Sequence, residues 1–112
     1  MTEDLYANIE IAPRDVEKML RSGTDFLLVD VREKWEHDLS RIENAKLIPL
    51  REVPANLAQF EQASEIVVFC HHGMRSLNAA AWLRSQGVEG AKSMAGGIDR
   101  WAQEIDSKVA RY

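Results

Sequence analysis

A single cysteine, Cys70, stands in a chain of 112 residues, so no disulfide can close within it and the fold has no need of an oxidising compartment. Any chemistry at that sulfur needs an outside partner. No apolar run approaches the ~20 residues that would cross a bilayer, and the first residues, Met1-Thr2-Glu3-Asp4, are acidic rather than basic and then apolar. The expectation is a cytoplasmic protein with no membrane partner. Positive charge is scarce as well: 14 Lys and Arg face 18 Asp and Glu, and a net charge of -4 has the wrong sign for binding nucleic acid by general electrostatics. No internal repeat, low-complexity tract or linker interrupts the sequence. With 46% hydrophobic residues, it is sized for one domain over residues 1–112 whose core needs neither staples nor a structural metal.

Two apolar runs, Phe26 to Val31 and Ile66 to Cys70, are β-rich and lack the polar alternation of a half-exposed strand, so they read as central parallel strands. Shorter strand candidates are Asn8 to Ile11, Lys46 to Ile48 and Ala91 to Met94. Between them lie helical spacings: Val16, Met19 and Leu20 after Pro13; Val53, Leu57 and Phe60 around Pro54; Ile98, Trp101, Ala102 and Ile105 after Gly96-Gly97. Ser76 to Gln86 is apolar around most of its circumference, stops at Gly87, and is expected to be a largely buried helix. The alternation of β and α predicts an α/β sandwich around a mostly parallel sheet. Arg32 to Asn44 carries mixed charge and reads as a solvated connection, with Arg32 and Glu36 at best a weak exposed pair.

Ligands of open α/β sheets bind beyond the carboxyl ends of the strands, and Cys70 ends the most convincing central strand. His71-His72-Gly73-Met74-Arg75-Ser76 follows it and leads into the buried helix. Strand, tight glycine-containing loop and helix start together form an anion nest, in which converging N–H groups and the helix dipole favour a thiolate over a thiol. Arg75 adds a permanent positive charge, Ser76 is placed to cap the helix or donate its hydroxyl to the sulfur, and Gly73 permits a backbone conformation closed to other residues. An inert buried cysteine would explain the end of the strand but not this loop. Asp30 ends a strand at the same sheet edge, as a candidate for the pocket wall or for a loop-fixing hydrogen bond. Trp35 is a candidate for the pocket edge, whereas Trp82 and Trp101 read as core. Cys70, His71 and His72 are adjacent rather than spaced as metal ligands are, so no metal is expected.

The run from Cys70 to Ser76 resembles the active-site loop of rhodanese-like sulfurtransferases. Asp30-Val31-Arg32-Glu33 is similar to that family's Asp-Val-Arg-Glu, and Gly96 to Trp101 to its Gly-Gly-x-x-x-Trp signature. The resemblance implies a three-layer rhodanese-like sandwich without a cofactor. It further implies that Cys70 takes sulfane sulfur from a donor such as thiosulfate, becomes a persulfide, and passes the sulfur to cyanide, a thiol or a partner protein. His71 to Arg75 would supply the cradle. Arg41-Ile42-Glu43-Asn44-Ala45 departs from the family's His-Ile-Pro-Gly-Ala, and His71 stands where thiosulfate-using members often have Arg or Lys, so thiosulfate is expected to be a poor donor. Residues 105–112 are similar to endings of rhodanese domains fused to adenylating enzymes of thiamine and molybdopterin biosynthesis, which suggests sulfur delivery. Cysteine phosphatases and arsenate reductases are the rival chemistry. Phosphatases place five residues between Cys and Arg, however, and only four separate Cys70 from Arg75, a ring better suited to one extra sulfur than to a phosphoryl group. A non-catalytic interaction module would have no reason to keep both Cys70 and Arg75.

Overall fold

The computed structural model describes residues 4–112. Its elements run β1 (Glu10–Ile11), α1 (Pro13–Arg21), β2 (Leu27–Asp30), α2 (Lys34–Leu39), β3 (Lys46–Leu47), two 3-10 turns (Leu50–Glu52 and Pro54–Asn56), α3 (Leu57–Glu61), β4 (Ile66–Phe69), α4 (Met74–Ser85), β5 (Ala91–Met94) and α5 (Gly97–Glu104). All five strands are parallel, in the order β1-β5-β4-β2-β3. The two apolar runs become the neighbours β2 and β4, in register from Leu27 opposite Ile66 to Asp30 opposite Phe69. Consecutive residues of a strand point to opposite faces, and the core divides accordingly. Ile66, Val68 and Cys70 join the cluster that holds Phe60 of α3 and Ala80 and Leu83 of α4. Val67 and Phe69 join Val16 of α1 and Ile98 and Trp101 of α5 on the other side. The pleat therefore sets Cys70 on the α4 face, immediately beyond the end of β4.

One reading of the sequence is corrected. Residues 32–44 are not a solvated connection, because α2 occupies Lys34–Leu39 with Arg32 and Glu36 both buried. A capping box starts this helix: the Glu33 side chain accepts from the Glu36 backbone N–H, while the Glu36 side chain accepts from Glu33 N–H at 2.9 Å. Mixed charge conceals the pattern, because the buried face of α2 is ionic rather than apolar. Nor do Arg32 and Glu36 pair through their charged groups; Arg32 donates to the Glu36 backbone carbonyl at 3.2 Å and forms its ion pair with Asp30. Helix α4 also begins at Met74, two residues earlier than its apolar pattern suggests. Among the described residues no helix is long and apolar enough to cross a membrane.

Candidate active site

Gly73 turns the chain at φ +106°, and this left-handed step folds the loop back so that the start of α4 points at the end of β4. Cys70 is only 1% exposed, and its Sγ lies 3.1 Å from Gly73 N and 3.3 Å from Ser76 N. Two backbone donors thus converge on the sulfur, at the positive end of a twelve-residue helix. Ser76 is not the helix cap; Gly73 occupies that position. The Ser76 hydroxyl instead lies 3.4 Å from Sγ, 2.8 Å from the hydroxyl of Ser93 on β5, and 3.3 Å from Gly73 O. The sulfur therefore meets the Ser76 hydroxyl, which is itself backed by the buried Ser93 hydroxyl.

The floor of the loop comes from the start of α5. Gly96 and Gly97 both have positive φ, and the N–H groups of Ile98 and Asp99 donate to the carbonyls of Cys70 and His71 at 2.9 and 3.1 Å. A helix start thus holds the loop's carbonyls from below while another holds its sulfur from above. Gly73 itself packs on Gly96, where an added Cβ would meet Gly96 N at 3.3 Å.

Arg75 extends to α2 and grips Glu36 with both ends of its fork, Nη1 to Oε2 at 2.8 Å and Nη2 to Oε1 at 2.9 Å. Tyr112 donates its hydroxyl to Glu36 Oε1 at 2.8 Å and accepts from Arg32 Nη1 at 2.8 Å. Glu36 is held at about 2, well below the usual carboxylate range, first by the hydrogen bonds from Arg75, with Glu33 N–H and Tyr112 adding to them against the cost of burial. The same pairing pushes Arg75 above the ordinary arginine range. The Tyr112 phenol is raised, chiefly by burial, so it remains a donor.

His71 and His72 form a stack with Tyr112. The His71 ring lies 3.8 Å from the Tyr112 ring at an interplanar angle of 7°, and 3.9 Å from the His72 ring at 30°. Burial, and then the neighbouring His72, push His71 below the usual histidine range, and its buried Nε2 has no hydrogen-bond partner among the described residues. Met74 is 69% exposed on the outside of the loop.

Within the loop 70–76 the sulfur's hydrogen-bond partners are Gly73 and Ser76, and neither Asp30 nor Trp35 is one of them. Asp30 is fully buried, holding Arg32 Nε and Nη2 at 2.9 and 2.7 Å and facing His37 Nδ1 at 2.9 Å. Its Oδ1 also accepts from Arg32 N–H at 3.0 Å, which is the loop-fixing alternative. Trp35 is 63% exposed and meets the Tyr112 ring edge-on at 6.0 Å. Sequence reasoning missed Glu36, Ser93 and Tyr112. The three-residue spacing of Glu33 and Glu36 was a usable signal for the first. Ser93 and Tyr112 carry no local signal, because their partners are 17 and 76 residues away.

A parallel sheet with its cysteine at the carboxyl end of a central strand, cradled by a helix start, is the arrangement expected of a rhodanese fold. The Rhodanese-like domain model matches residues 12–104, and the chain belongs to that family. Among its relatives, a sulfurtransferase of Allochromatium vinosum is 31% identical over 94 residues, covering 84% of this chain and 88% of its own. The probable adenylyltransferase/sulfurtransferase MoeZ of Mycobacterium tuberculosis is 34% identical over 104 residues, covering 91% of this chain. The chain spans about a quarter of the length of MoeZ and of the maize adenylyltransferase and sulfurtransferase MOCS3-2, 26% in each case. In structure it is similar to the human single-domain sulfurtransferase TSTD1, with a TM-score of 0.76, 29% identity, and coverage of 86% of this chain and 96% of that one. A rhodanese-related protein from Thermoplasma volcanium superposes with a TM-score of 0.72 at 28% identity, covering 86% and 92% of the two chains.

Proposed function

We propose that the protein is a cytoplasmic sulfurtransferase, one rhodanese domain over residues 1–112, that carries sulfane sulfur as a persulfide on Cys70. The observation that carries this reading is the convergence of Gly73 N–H, Ser76 N–H and the Ser76 hydroxyl on Cys70 Sγ. The Cys70 thiolate attacks the outer sulfur of a donor such as thiosulfate. A new S–S bond forms, the donor's S–S bond breaks, and sulfite leaves with the bonding pair. The anionic outer sulfur is then held inside the ring of loop N–H groups until cyanide, a thiol or a partner protein attacks it and the thiolate returns. Cys70 is the only cysteine, so no second thiol in the chain can resolve the persulfide. The likeness to the adenylyltransferase/sulfurtransferases supports delivery to a protein acceptor.

The position of Arg75 weighs against phosphatase chemistry. A phosphoryl group needs the loop's guanidinium on its equatorial oxygens, and here that fork is committed to Glu36. The test is intact mass after incubation with thiosulfate, where one added sulfur atom is expected on the wild type and none on Cys70→Ser. The variant should fold like the wild type and form no thiocyanate from cyanide. Appreciable turnover by Cys70→Ser would rule out the covalent mechanism.

A further inference from the structure

Each cation around the Cys70 loop is matched by a carboxylate. Arg75 is paired with Glu36, Arg51 with Glu33, and the fully buried Arg32 with Asp30. His72 and Arg111 both face Asp99, at 3.9 and 2.9 Å. His71, the residue next to the sulfur, lies stacked between two rings, where burial favours its neutral form.

Glu36 is the decisive partner. The residue is 4% exposed, and its carboxylate receives four hydrogen bonds, two on each oxygen: Oε2 from Glu33 N–H at 2.9 Å and Arg75 Nη1 at 2.8 Å, and Oε1 from Arg75 Nη2 at 2.9 Å and Tyr112 Oη at 2.8 Å. A carboxylate so completely satisfied cannot swing away to free Arg75 when a substrate arrives.

We propose that Glu36 is a specificity-determining residue: by cancelling the charge of Arg75 it turns the site away from dianionic donors such as thiosulfate and toward donors of lower charge, in which an organic group replaces one of thiosulfate's oxygens. The inference rests on the sulfurtransferase reading of Cys70. A donor must bring its charge up to a thiolate, and thiosulfate brings two negative charges. With Arg75 neutralised, only dipoles and hydrogen bonds offset that repulsion. Methanethiosulfonate brings one charge through the same reaction. The Cys70 thiolate bonds to its terminal sulfur, the S–S bond breaks, and methanesulfinate leaves with the electron pair, as sulfite does from thiosulfate. The two donors differ mainly in charge, so the ratio of their kcat/KM values isolates it.

Both donors are to be assayed with cyanide as acceptor, on the wild type and on Glu36→Gln, at low and high ionic strength. Glu36→Gln is expected to raise the ratio of thiosulfate to methanethiosulfonate kcat/KM by roughly 3- to 10-fold at low salt, the scale of one unscreened charge a few ångströms from the donor. The rise should shrink at ~0.5 M salt. An unchanged ratio, with both donors slowed alike, would overturn the inference and leave Glu36 a structural support. A measurement on the wild type stands independently of how that variant folds: thiosulfate kcat/KM should stay flat or increase as salt is added. A steep decrease would reveal a free cation at the site and overturn the inference. Failure of the wild type to gain sulfur from either donor, read by intact mass, would instead defeat the sulfurtransferase reading and the inference with it.

Discussion

Gly97 lies directly against the carbonyl of Cys70, so close that a Cβ built on the glycine would come within 2.5 Å of that oxygen. The contact explains why a glycine pair 26 residues downstream of the cysteine belongs to the site: the bare backbone of α5's first turn is the surface on which the loop is folded.

Gly97→Ala would combine this clash with a φ of +62° that L side chains rarely adopt. A loss of roughly 1–3 kcal/mol is expected from the backbone conformation alone. Because something must move, and the loop carbonyls are what the methyl meets, persulfide loading should slow as well. Urea unfolding gives the first quantity and the rate of mass gain with thiosulfate the second. Wild-type loading in a destabilised Gly97→Ala would separate the floor from the chemistry.

The hydroxyl pair beneath the sulfur is expected to act as a unit. Ser76→Ala removes the side-chain partner of Sγ and leaves the buried Ser93 hydroxyl without its 2.8 Å contact, so it should cost about 1–3 kcal/mol in stability and slow sulfur transfer. Ser93→Ala leaves Ser76 free to donate to Sγ and should be milder in turnover. Combining the two should cost less than the sum of the single effects, because the second substitution removes a group whose partner has already gone. Strict additivity in turnover would mean the two hydroxyls act separately.

The scaffold and the ring around Cys70 were legible in the sequence because both are written locally. The apolar runs at β2 and β4 specify buried parallel strands, and the glycine between Cys70 and Arg75 marks the turn that wraps N–H groups around the sulfur. The partners of the loop's charged residues were not legible. Arg75 and Glu36 are 39 residues apart and Tyr112 lies 76 beyond Glu36, so their pairing comes only from the way the start of α4 and the segment after α5 meet α2. Helix α2 misled for a related reason: its inward face carries Glu36, so hydrophobic periodicity saw no buried side.

Acid should unfold the protein partly through Glu36. Its carboxyl titrates at about 2 in the folded chain against 4.5 as the ordinary value, first because Arg75 holds the anion. A depressed folded value means that the contribution is complete above about pH 5 and is lost as the pH falls toward 2, when protonation breaks the pair. The shift corresponds to roughly 3 kcal/mol. Urea midpoints between pH 7 and about pH 3 should therefore fall more steeply for the wild type than for Glu36→Gln, which has no proton to take up there. Parallel curves would show that other carboxylates govern the acid limb.

Tyr112 couples two parts of the site, and two substitutions should separate them. Tyr112→Phe keeps the ring on His71 but removes the hydroxyl that bridges Arg32 and Glu36, each 2.8 Å away. Two buried charged groups then lose a partner, so a loss of about 1–3 kcal/mol is expected with the environment of His71 little altered. Tyr112→Ala also removes the ring lying 3.8 Å from the imidazole, admitting water to the face it covered. Burial is the first cause of the lowered His71 value, so this variant should return the histidine toward its ordinary 6.5. The sign follows from solvation: water stabilises the imidazolium more than the neutral ring. An NMR titration of the His71 ring protons would follow it, with Tyr112→Phe close to the wild type and Tyr112→Ala displaced upward. Sulfur transfer from thiosulfate should then gain most in Tyr112→Ala below about pH 6.5, where a hydrated His71 would carry a positive charge next to Cys70. If His71 titrates alike in all three proteins, the ring of Tyr112 does not control it, and the cause must lie in His72, its other stacking partner at 3.9 Å.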